Sequence, residues 1–471
     1  MGHINHLPVE ILDIVFQQCE LADLLRIRRL SRGLKEALDR SKRIKCTLEV
    51  NLDLVNEQGY LLRASVGRVW WNVTTQELVD HSINGFDFWL KNLRTLIVVS
   101  RTCCSYDFHK RLPIMLELIL DILEQDLKGD CQMKSLVILP NMDMKWKQSF
   151  RSVISLINDS SLNFSAKVGI ERGKNESAFD VVLGSKFKDV RLHCDLSGIR
   201  FDIDGRLELL SIAKPYEECF KPIVVDGEQV SQLISQCGRL KQIELSDVKL
   251  RINSGGFCLP SFITKMSLYD CQSYDDKGHT IVANGLQDLY AQNVSESLLG
   301  QLVAPNLSMV RLWDLDIQST LFMRHLLGSL KRATIDVNNW NVLDIMATEE
   351  FTSCPLTHLT LHAWKGGPRI DRLWRLTQLK HLQSLVVYSN DVSAEPQITT
   401  KCLDKLVKSL LINCPDLQEL EMYLGVCLPR VSMKDDVLIH NRDNRAQLAD
   451  MLVKDYQPII ITDENLPSWI M

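Results

Sequence analysis

The sequence predicts an α/β protein in which a small N-terminal helical module precedes a long array of strand–helix repeats. Two observations support this fold class. Apolar residues recur at helical spacing within the first forty-odd residues, and from about residue 90 a short apolar ladder returns at intervals close to 23 residues. We therefore divide the chain into a helical module (1–45), a connecting and capping segment (46–90), a repeat array (91–428) and a C-terminal tail (429–471).

The N-terminal module is predicted to contain three short helices. Leu7-Pro8 places a proline at the first helical position, where the missing N–H costs nothing. Several apolar residues then share one helical face: Ile11, Leu12, Val15, Phe16 and Cys19. A second apolar set follows Asp23, and Ser31 is placed to cap a third helix that carries Leu34. Because so small a unit buries little surface by itself, some of these side chains are expected to meet a partner.

The module resembles the F-box, the helical module that ties a substrate receptor to the Skp-family adaptor of a cullin-RING ubiquitin ligase. The matching residues occur in the family's order: Leu7-Pro8, Glu10-Ile11-Leu12, Val15-Phe16, Asp23-Leu24-Leu25 and Leu30-Ser31-Arg32. Cys19 stands where Leu is usual, and Leu34 stands where the family usually has Trp. The resemblance implies adaptor contacts for Leu7, Pro8, Ile11, Leu12, Val15, Phe16, Leu24, Leu25, Leu30 and Leu34. The alternative is an N-terminal helical cap of a larger domain.

Composition narrows the classes of function. The 471 residues are 45% hydrophobic, with no run long enough to span a membrane and no signal-peptide pattern at the N-terminus. A formal net charge of −5 disfavours a general nucleic-acid binder. The 14 cysteines are expected to be reduced thiols, and because no Cys/His spacing suits a metal ion, we expect no metal and no cofactor.

The repeats have the form L-x-x-L-x-L followed by a further apolar, Cys or Asn residue. The clearest copies begin at Leu240, Ile263, Leu286, Leu307, Leu330, Leu356 and Leu382, with steps of 23, 23, 21, 23, 26 and 26 residues. A further copy begins at Leu417, and earlier candidates begin at Leu93, Met133, Phe187 and Leu207. This period lies in the range of leucine-rich repeats, and Cys237-Gly238, Cys354-Pro355 and Cys414-Pro415 before strands resemble the cysteine-containing type found behind many F-boxes.

The resemblance implies a solenoid with a curved parallel sheet on its concave side and helices on its convex side. The sequence places amphipathic helices in the return segments that contain Val230, Leu233 and Ile234, in the segment after Leu112, and between Thr399 and Leu417. An ordinary α/β domain with βαβ units is the alternative, although its buried strands usually lack strict alternation. VLIH and QPIIIT in the tail are candidates for a further strand.

If this register holds, the residue after the third ladder position faces outward on the sheet. That row is Ser246, Tyr269, Gln292, Trp313, Asp336, His362, Tyr388 and Tyr423. Neighbouring rows add Glu244, Asp270, Tyr290, Arg311, Asp314, His358 and Glu421. We predict that a substrate contacts Tyr269, Tyr290, Arg311, Trp313, Asp336, His362, Tyr388 and Tyr423, because aromatic side chains on rigid strands often carry binding energy. The alternative is that these rings stack on one another for the sake of the sheet.

Three functions remain open at this point. The first is a non-catalytic substrate receptor whose F-box binds a Skp-family adaptor, and through it cullin and RING subunits, while the repeats bind a protein target for ubiquitination and degradation. The second is a non-degradative leucine-rich-repeat scaffold. The third, an enzyme, lacks any nucleophile elbow, phosphate-binding glycine loop or zinc-protease motif. We expect a cytoplasmic or nuclear location.

Overall fold

The computed structural model describes residues 7–19, 23, 26–27, 30–40, 46–56, 59–66, 69–74, 92–100, 106–125, 131–171, 180–193, 196, 199–202, 206–214, 222–253, 256–274, 279–315, 329–337, 353–363, 373–389, 400–424 and 437–440. The protein is α/β, with mostly parallel sheet and few helices. It divides into two compact units, Met1–Cys219 with Gln236–Leu240, and Phe220–Ser235 with Lys241–Met471.

The N-terminal module contains helices α1 (Val9–Gln18) and α2 (Arg32–Arg40). The amide of Leu34 donates to the Ser31 hydroxyl at 3.1 Å, so the predicted cap of the later helix is confirmed. Helical backbone also occurs between them at Asp23, Arg26, Ile27 and Leu30. Leu24 and Leu25 lie outside the described residues.

The described residues of the first unit form strands β1 to β10 and two helices beyond α2. The strands are β1 (Cys46–Asn56), β2 (Gly59–Val66), β3 (Val69–Thr74), β4 (Leu93–Val99), β5 (Ser135–Asp143), β6 (Ser165–Glu171), β7 (Val181–Leu183), β8 (Phe187–His193), β9 (Ile199–Phe201) and β10 (Leu209–Ala213). The helices are α3 (Tyr106–Gln125) and α4 (Lys147–Asp159). They pack against each other, and α3 is the helix that the sequence predicts after Leu112.

In the main sheet of this unit, the strand pairing changes from antiparallel to parallel at β1. Strands β1, β2 and β3 pair antiparallel, whereas β1 pairs parallel with β4, and the parallel pairing continues through β5, β6, β8 and β10. The connecting segment therefore contributes an antiparallel flank to a parallel ladder. Its role as a cap stays a prediction.

Strand β6 belongs to the parallel sheet although the leucine pattern does not predict it. It lies between β5 and β8, where Ala166 pairs with Leu136 and Val168 pairs with Val190. These side chains are buried like those of the neighbouring strands. The leucine pattern is absent here because Ala166 fills the position that Leu136 occupies in β5.

The second unit continues in chain order. Its elements are β11 (Ile223–Asp226), α5 (Gly227–Ser235), β12 (Gln242–Ser246), β13 (Val248–Arg251), β14 (Phe257–Cys258), β15 (Lys265–Tyr269), β16 (Gln272–Ser273), β17 (Ile281–Val282), β18 (Asp288–Gln292), α6 (Glu296–Gly300), β19 (Leu302–Val303), β20 (Met309–Leu315), β21 (Arg332–Val337), β22 (His358–Ala363), a 3-10 helix (Trp374–Gln378), β23 (Ser384–Ser389), α7 (Thr400–Asn413), β24 (Glu419–Leu424) and β25 (Val437–His440).

The predicted ladders of this unit form one parallel run of strands. Strands β12, β15, β18, β20, β21, β22, β23 and β24 pair in that order, and β25, which contains VLIH, adds an antiparallel edge. Alternate residues are buried, as in the row Leu245, Leu268, Ala291 and Leu312. The period-two register proposed from sequence is confirmed for these strands.

The return segments differ from the expectation of a helix in every repeat. Between β12 and β18 the described residues form the short strands β13, β14, β16 and β17 and no helix. The physical reason lies in stretches such as SGGFCLPS and YDDKGHT, where Gly, Pro and Ser disfavour helix and no three-and-four apolar spacing compensates. Helices α5 and α7 do occur where the apolar spacing predicts them.

Several buried cysteines are part of the protein core. The described cysteines are free thiols, and burial raises the pKa of Cys271 to about 12, so this thiol stays protonated at neutral pH. Cys271 Sγ donates to the Leu245 carbonyl at 3.3 Å, and Cys354 Sγ donates to the Leu330 carbonyl at 3.2 Å. These thiols therefore act as small hydrogen-bond donors between consecutive strands of the parallel sheet and the segments that follow them.

Candidate functional site

Helix α1 has two apolar faces with different environments. Leu12 and Phe16 are 4% and 2% exposed, and they are buried together with Leu34 and Leu38 of α2. On the other face, Ile11, Ile14 and Val15 are 43%, 49% and 44% exposed, and Leu7, just before the helix, is 38% exposed. These four residues follow helical spacing, and we call them the apolar stripe. Leu30, which lies between the helices in sequence, is 63% exposed.

The exposure of their side chains divides the predicted adaptor contacts into two groups. Leu7, Pro8, Ile11, Val15 and Leu30 are accessible to a partner. In contrast, the structure buries Leu12, Phe16 and Leu34, which differs from the prediction that they touch the adaptor directly. Their side chains instead fill the space between α1 and α2. Ile14 was not predicted, although its position three residues after Ile11 could have indicated it.

Burial of the stripe would yield a useful amount of free energy. A fully covered Leu, Ile or Val side chain contributes about 1.5 to 3 kcal/mol relative to an exposed one. Such a set of aliphatic side chains on one short helix is typical of an interface and is unusual for a surface in contact with water.

Residues 4–45 match the F-box domain. F-box domains generally bind Skp-family adaptors, and the proteins that carry them are generally non-catalytic. The match covers less than a tenth of the chain, so it concerns the F-box and not the sheet-forming segments that follow it. No curated protein matches the chain.

The second unit carries a half-exposed sheet face, which we call the outer face. Its side chains alternate with the buried ones along β12 to β24. Ser246, Tyr269, Gln292 and Trp313 are consecutive partners in one row, and Asp336, His362, Tyr388 and Tyr423 are consecutive partners in the next part of that row. The structure thus places the predicted substrate row on adjacent strands.

A β-bulge joins the two parts of the row. Leu312 pairs with Ile335 and Leu315 pairs with Val337, so both Trp313 and Asp314 lie opposite Asp336. Trp313 lies at this bulge on β20 and contacts a ring on β22, with β21 between the two strands. Its ring lies 5.1 Å from that of His362, which stacks on Tyr388 at 4.9 Å with an interplanar angle of 13°.

Three polar groups are wholly or partly buried at this stack. Asp336 is only 6% exposed, which differs from the prediction of an accessible substrate contact, since the bulged Trp313 and the paired His362 lie on either side of it in the sheet. Burial also lowers the pKa of His362, which favours the neutral form of its ring. The Trp313 Nε1 atom is buried and has no hydrogen-bond acceptor in the part of the chain that the structure describes.

A second aromatic group lies on the preceding strands. The rings of Tyr269 and Tyr290 are 5.1 Å apart, and the guanidinium of Arg311 lies 5.6 Å from the Tyr290 ring. Arg311 also donates to both carboxylate oxygens of Asp288, at 3.1 and 3.0 Å. Sequence reasoning found Arg311 and both tyrosines but missed Asp288, which belongs to the first position of its strand.

Three Asp residues and one Asn directly follow the row residues of β12, β15, β18 and β20 in the chain. Asp247, Asp270, Asn293 and Asp314 all have left-handed backbone, with φ of 54°, 52°, 49° and 52°. Asn and Asp tolerate this conformation better than other side-chain-bearing residues. The amide of each of the first three donates to a row carbonyl on the next strand, at 2.9, 2.9 and 3.0 Å, so these turns stack in register.

The described residues contain no group of three or more His, Cys, Asp or Glu that could hold a metal ion. Among the described helices, none is long and apolar enough to cross a membrane. The described residues form two surfaces that a partner could contact. One is the aliphatic face of α1 in the F-box, and the other is the aromatic and acidic sheet face of the second unit.

Proposed function

We propose that this protein is a substrate-recognition subunit of an SCF-type (Skp–cullin–F-box) ubiquitin ligase. The F-box match at residues 4–45 carries the proposal, and the exposed apolar stripe supports it because an adaptor would cover that stripe. In this role the other subunits of the assembly supply the catalytic groups. It raises the reaction rate by holding a target close to the ubiquitin-transferring subunits of the assembly.

We also propose that the second unit is part of a leucine-rich-repeat solenoid that captures the target. The in-register parallel strands and their steps of 23, 23 and 21 residues from Leu240 to Leu307 support this assignment. A cytoplasmic or nuclear location would follow from this role, since Skp–cullin assemblies work there. A scaffold without degradation remains the second candidate, and the half-life of a captured target separates the two.

Adaptor capture tests the first proposal. We expect the double substitution Ile11→Asp, Ile14→Asp to reduce co-purification with a recombinant Skp-family adaptor by at least about tenfold, because each Asp removes an apolar contact and places a carboxylate in an apolar interface. Pulldown with purified full-length chain measures this. Ile412→Asp is the matched control, since Ile412 is 77% exposed on α7. Equal adaptor capture by wild type and the double variant, or no capture by wild type, would sink the proposal.

The aromatic stack is expected to carry target binding. Replacing Trp313 and Tyr388 with Ala removes two rings of the stack and should lower target capture by about tenfold or more, because interface aromatic residues often cost 2 kcal/mol or more when truncated. Quantitative comparison of proteins that co-purify with adaptor-bound chain measures the effect. Gln292→Ala, on the same row, is the control, and adaptor capture should stay unchanged in both variants.

A further inference from the structure

A third surface lies in the first unit, between two of its helices. Helices α3 and α4 pack against each other and leave an open groove of about 580 Å³ between them, which we call the helix groove. Its apolar lining consists of Pro113, Ile114, Leu120 and Leu156. Leu120 is 3% exposed, whereas Ile114 is 56% exposed. The apolar surface of the groove therefore extends to side chains that solvent reaches.

Small side chains of α4 keep the groove open. Ser152 and Ser155 line it, and both hydroxyls bond within their own helix. The Ser152 hydroxyl donates to the Gln148 carbonyl at 3.0 Å, and the Ser155 hydroxyl donates to the Asp159 carboxylate at 2.5 Å. Because neither serine reaches across to α3, the space between the helices stays free for another side chain.

One end of the groove is fixed by hydrogen bonds. The Glu124 carboxylate of α3 accepts from the Ser160 hydroxyl at 2.6 Å and from the Ser161 amide at 2.8 Å. The Lys186 ammonium donates to the carbonyl oxygens of Asn158 and Ser160, where α4 ends. These bonds hold the two helices in place, so a partner would meet a preformed groove and lose little free energy in shaping it.

The charge of the groove has one sign. Its ionisable lining residues are Glu117, Asp121, Glu124 and Asp159, and all are acidic. Lys186 offsets part of the charge of Glu124 and Asp159. Glu117 and Asp121 are exposed, and neither forms an ion pair with any residue that the structure describes. Because they are four residues apart on α3, their carboxylates follow one another along the groove.

We infer that the helix groove binds a basic amphipathic helix of a partner protein, with apolar side chains on Ile114 and Leu156 and with Lys or Arg side chains opposite Glu117 and Asp121. An amphipathic helix commonly lays its apolar face into a groove of this kind. The α3 residues that line the groove run from Pro113 to Glu124, which corresponds to about 16 Å, or three turns of a bound helix.

Charge complementarity selects this occupant. Lys and Arg have apolar stems that can cover aliphatic surface while their charged ends reach a carboxylate. A second copy of the chain fits less well, because its formal net charge is −5. The inference goes beyond the proposed function and does not depend on it, since the groove is separate from both the apolar stripe and the outer face.

The test uses the purified full-length chain and a fluorescein-labelled 14-residue peptide with Leu on one helical face and Lys on the other. One comparison peptide has Glu in place of Lys, and a second has the same Leu and Lys residues in an order without an apolar face. We expect the Leu/Lys peptide to bind at least about tenfold more tightly than either. Its binding should weaken as NaCl rises. Fluorescence anisotropy measures each dissociation constant.

The charge of the groove is tested with Glu117→Gln, Asp121→Asn. This variant should weaken the Leu/Lys peptide at least about threefold, since exposed ion pairs contribute modestly. Glu208→Gln, Asp416→Asn is the matched control, because it removes two exposed carboxylates outside the groove. The control should bind the peptide like wild type.

The apolar side of the groove is tested with Ile114→Gln. It should weaken the same peptide about fivefold, because the exposed isoleucine loses its contact with the apolar face of the peptide. Ile412→Gln is the matched control, since Ile412 is also a solvent-exposed isoleucine on a helix. Circular dichroism verifies that each variant is folded.

Several outcomes would overturn the inference. No binding of the Leu/Lys peptide, equal binding of the Leu/Glu peptide, or an equal loss in the controls would each do so. Equal binding of the reordered peptide would show that charge alone suffices and that no helix face is recognised. Self-association of wild type that Ile114→Gln abolishes, measured by analytical ultracentrifugation, would assign the groove to a second copy of the chain instead.

Discussion

Replacing Gly285 with alanine is expected to destabilise the second unit by about 3 kcal/mol, the upper part of the range for overpacking. A Cβ at this position would collide with the backbone carbonyl of Ser261 and lie 2.9 Å from the Ile263 carbonyl oxygen. These are main-chain atoms at the turn before β15, so no side-chain rotation can relieve the clash. The turn that holds Gly285 leads into β18. There the amide of Gln287 donates to the Thr264 carbonyl at 2.9 Å.

Urea unfolding of wild type and Gly285→Ala, followed by circular dichroism, measures this loss. Gly300→Ala is the matched control, because a Cβ there meets nothing within 4 Å at the end of α6. The control is expected to be neutral or slightly stabilising. Equal unfolding midpoints for wild type and Gly285→Ala would show that the close approach of the two turns is not required.

Replacing Phe16 with alanine is expected to unfold the F-box by removing its largest buried side chain. Phe16 is 2% exposed and packs with Leu12, Leu34 and Leu38 in the small core between α1 and α2. Truncation of a buried Phe costs about 3 to 5 kcal/mol. A core this small has little stability to lose. Adaptor capture should therefore disappear even though Phe16 does not face the surface.

Hydrogen exchange of the full chain separates this effect from a lost contact. In Phe16→Ala, the amides of Val9–Gln18 and Arg32–Arg40 should exchange much faster than in wild type. Ile14→Ala is the control, since Ile14 is 49% exposed on the same helix and its exchange should be unchanged. Unaltered protection in Phe16→Ala would contradict the assignment of Phe16 to the core and would return it to the adaptor surface.

The repeat strands illustrate how far a sequence pattern reaches. Leu245, Leu268 and Leu312 could be assigned to one buried row from sequence because strand periodicity is a property of a few consecutive residues. The pattern failed at β6, where Ala166 is buried in the ladder without resembling it. It also failed for the return segments, since the pairing of β13 with β16 joins residues from different repeats.

On the candidate surfaces too, local spacing predicts which residues share a row, but strand pairing decides which of them are accessible. The sequence identified Trp313, His362 and Tyr388 as members of one row, but the bulge that brings Trp313 onto His362 depends on the register between β20 and β21. That register also encloses Asp336, which periodicity alone assigns to the accessible face.

By itself, the sequence determined the F-box at the N-terminus, the strands that the leucine ladders form and the row of aromatic residues along those strands. Only the tertiary structure decided which side of each element meets another part of the chain. Ile11 and Leu12 are adjacent and equally apolar, yet the first is 43% exposed and the second 4%. The physical reason is that spacing along a helix or strand is local, whereas burial depends on which distant residues arrive to cover it.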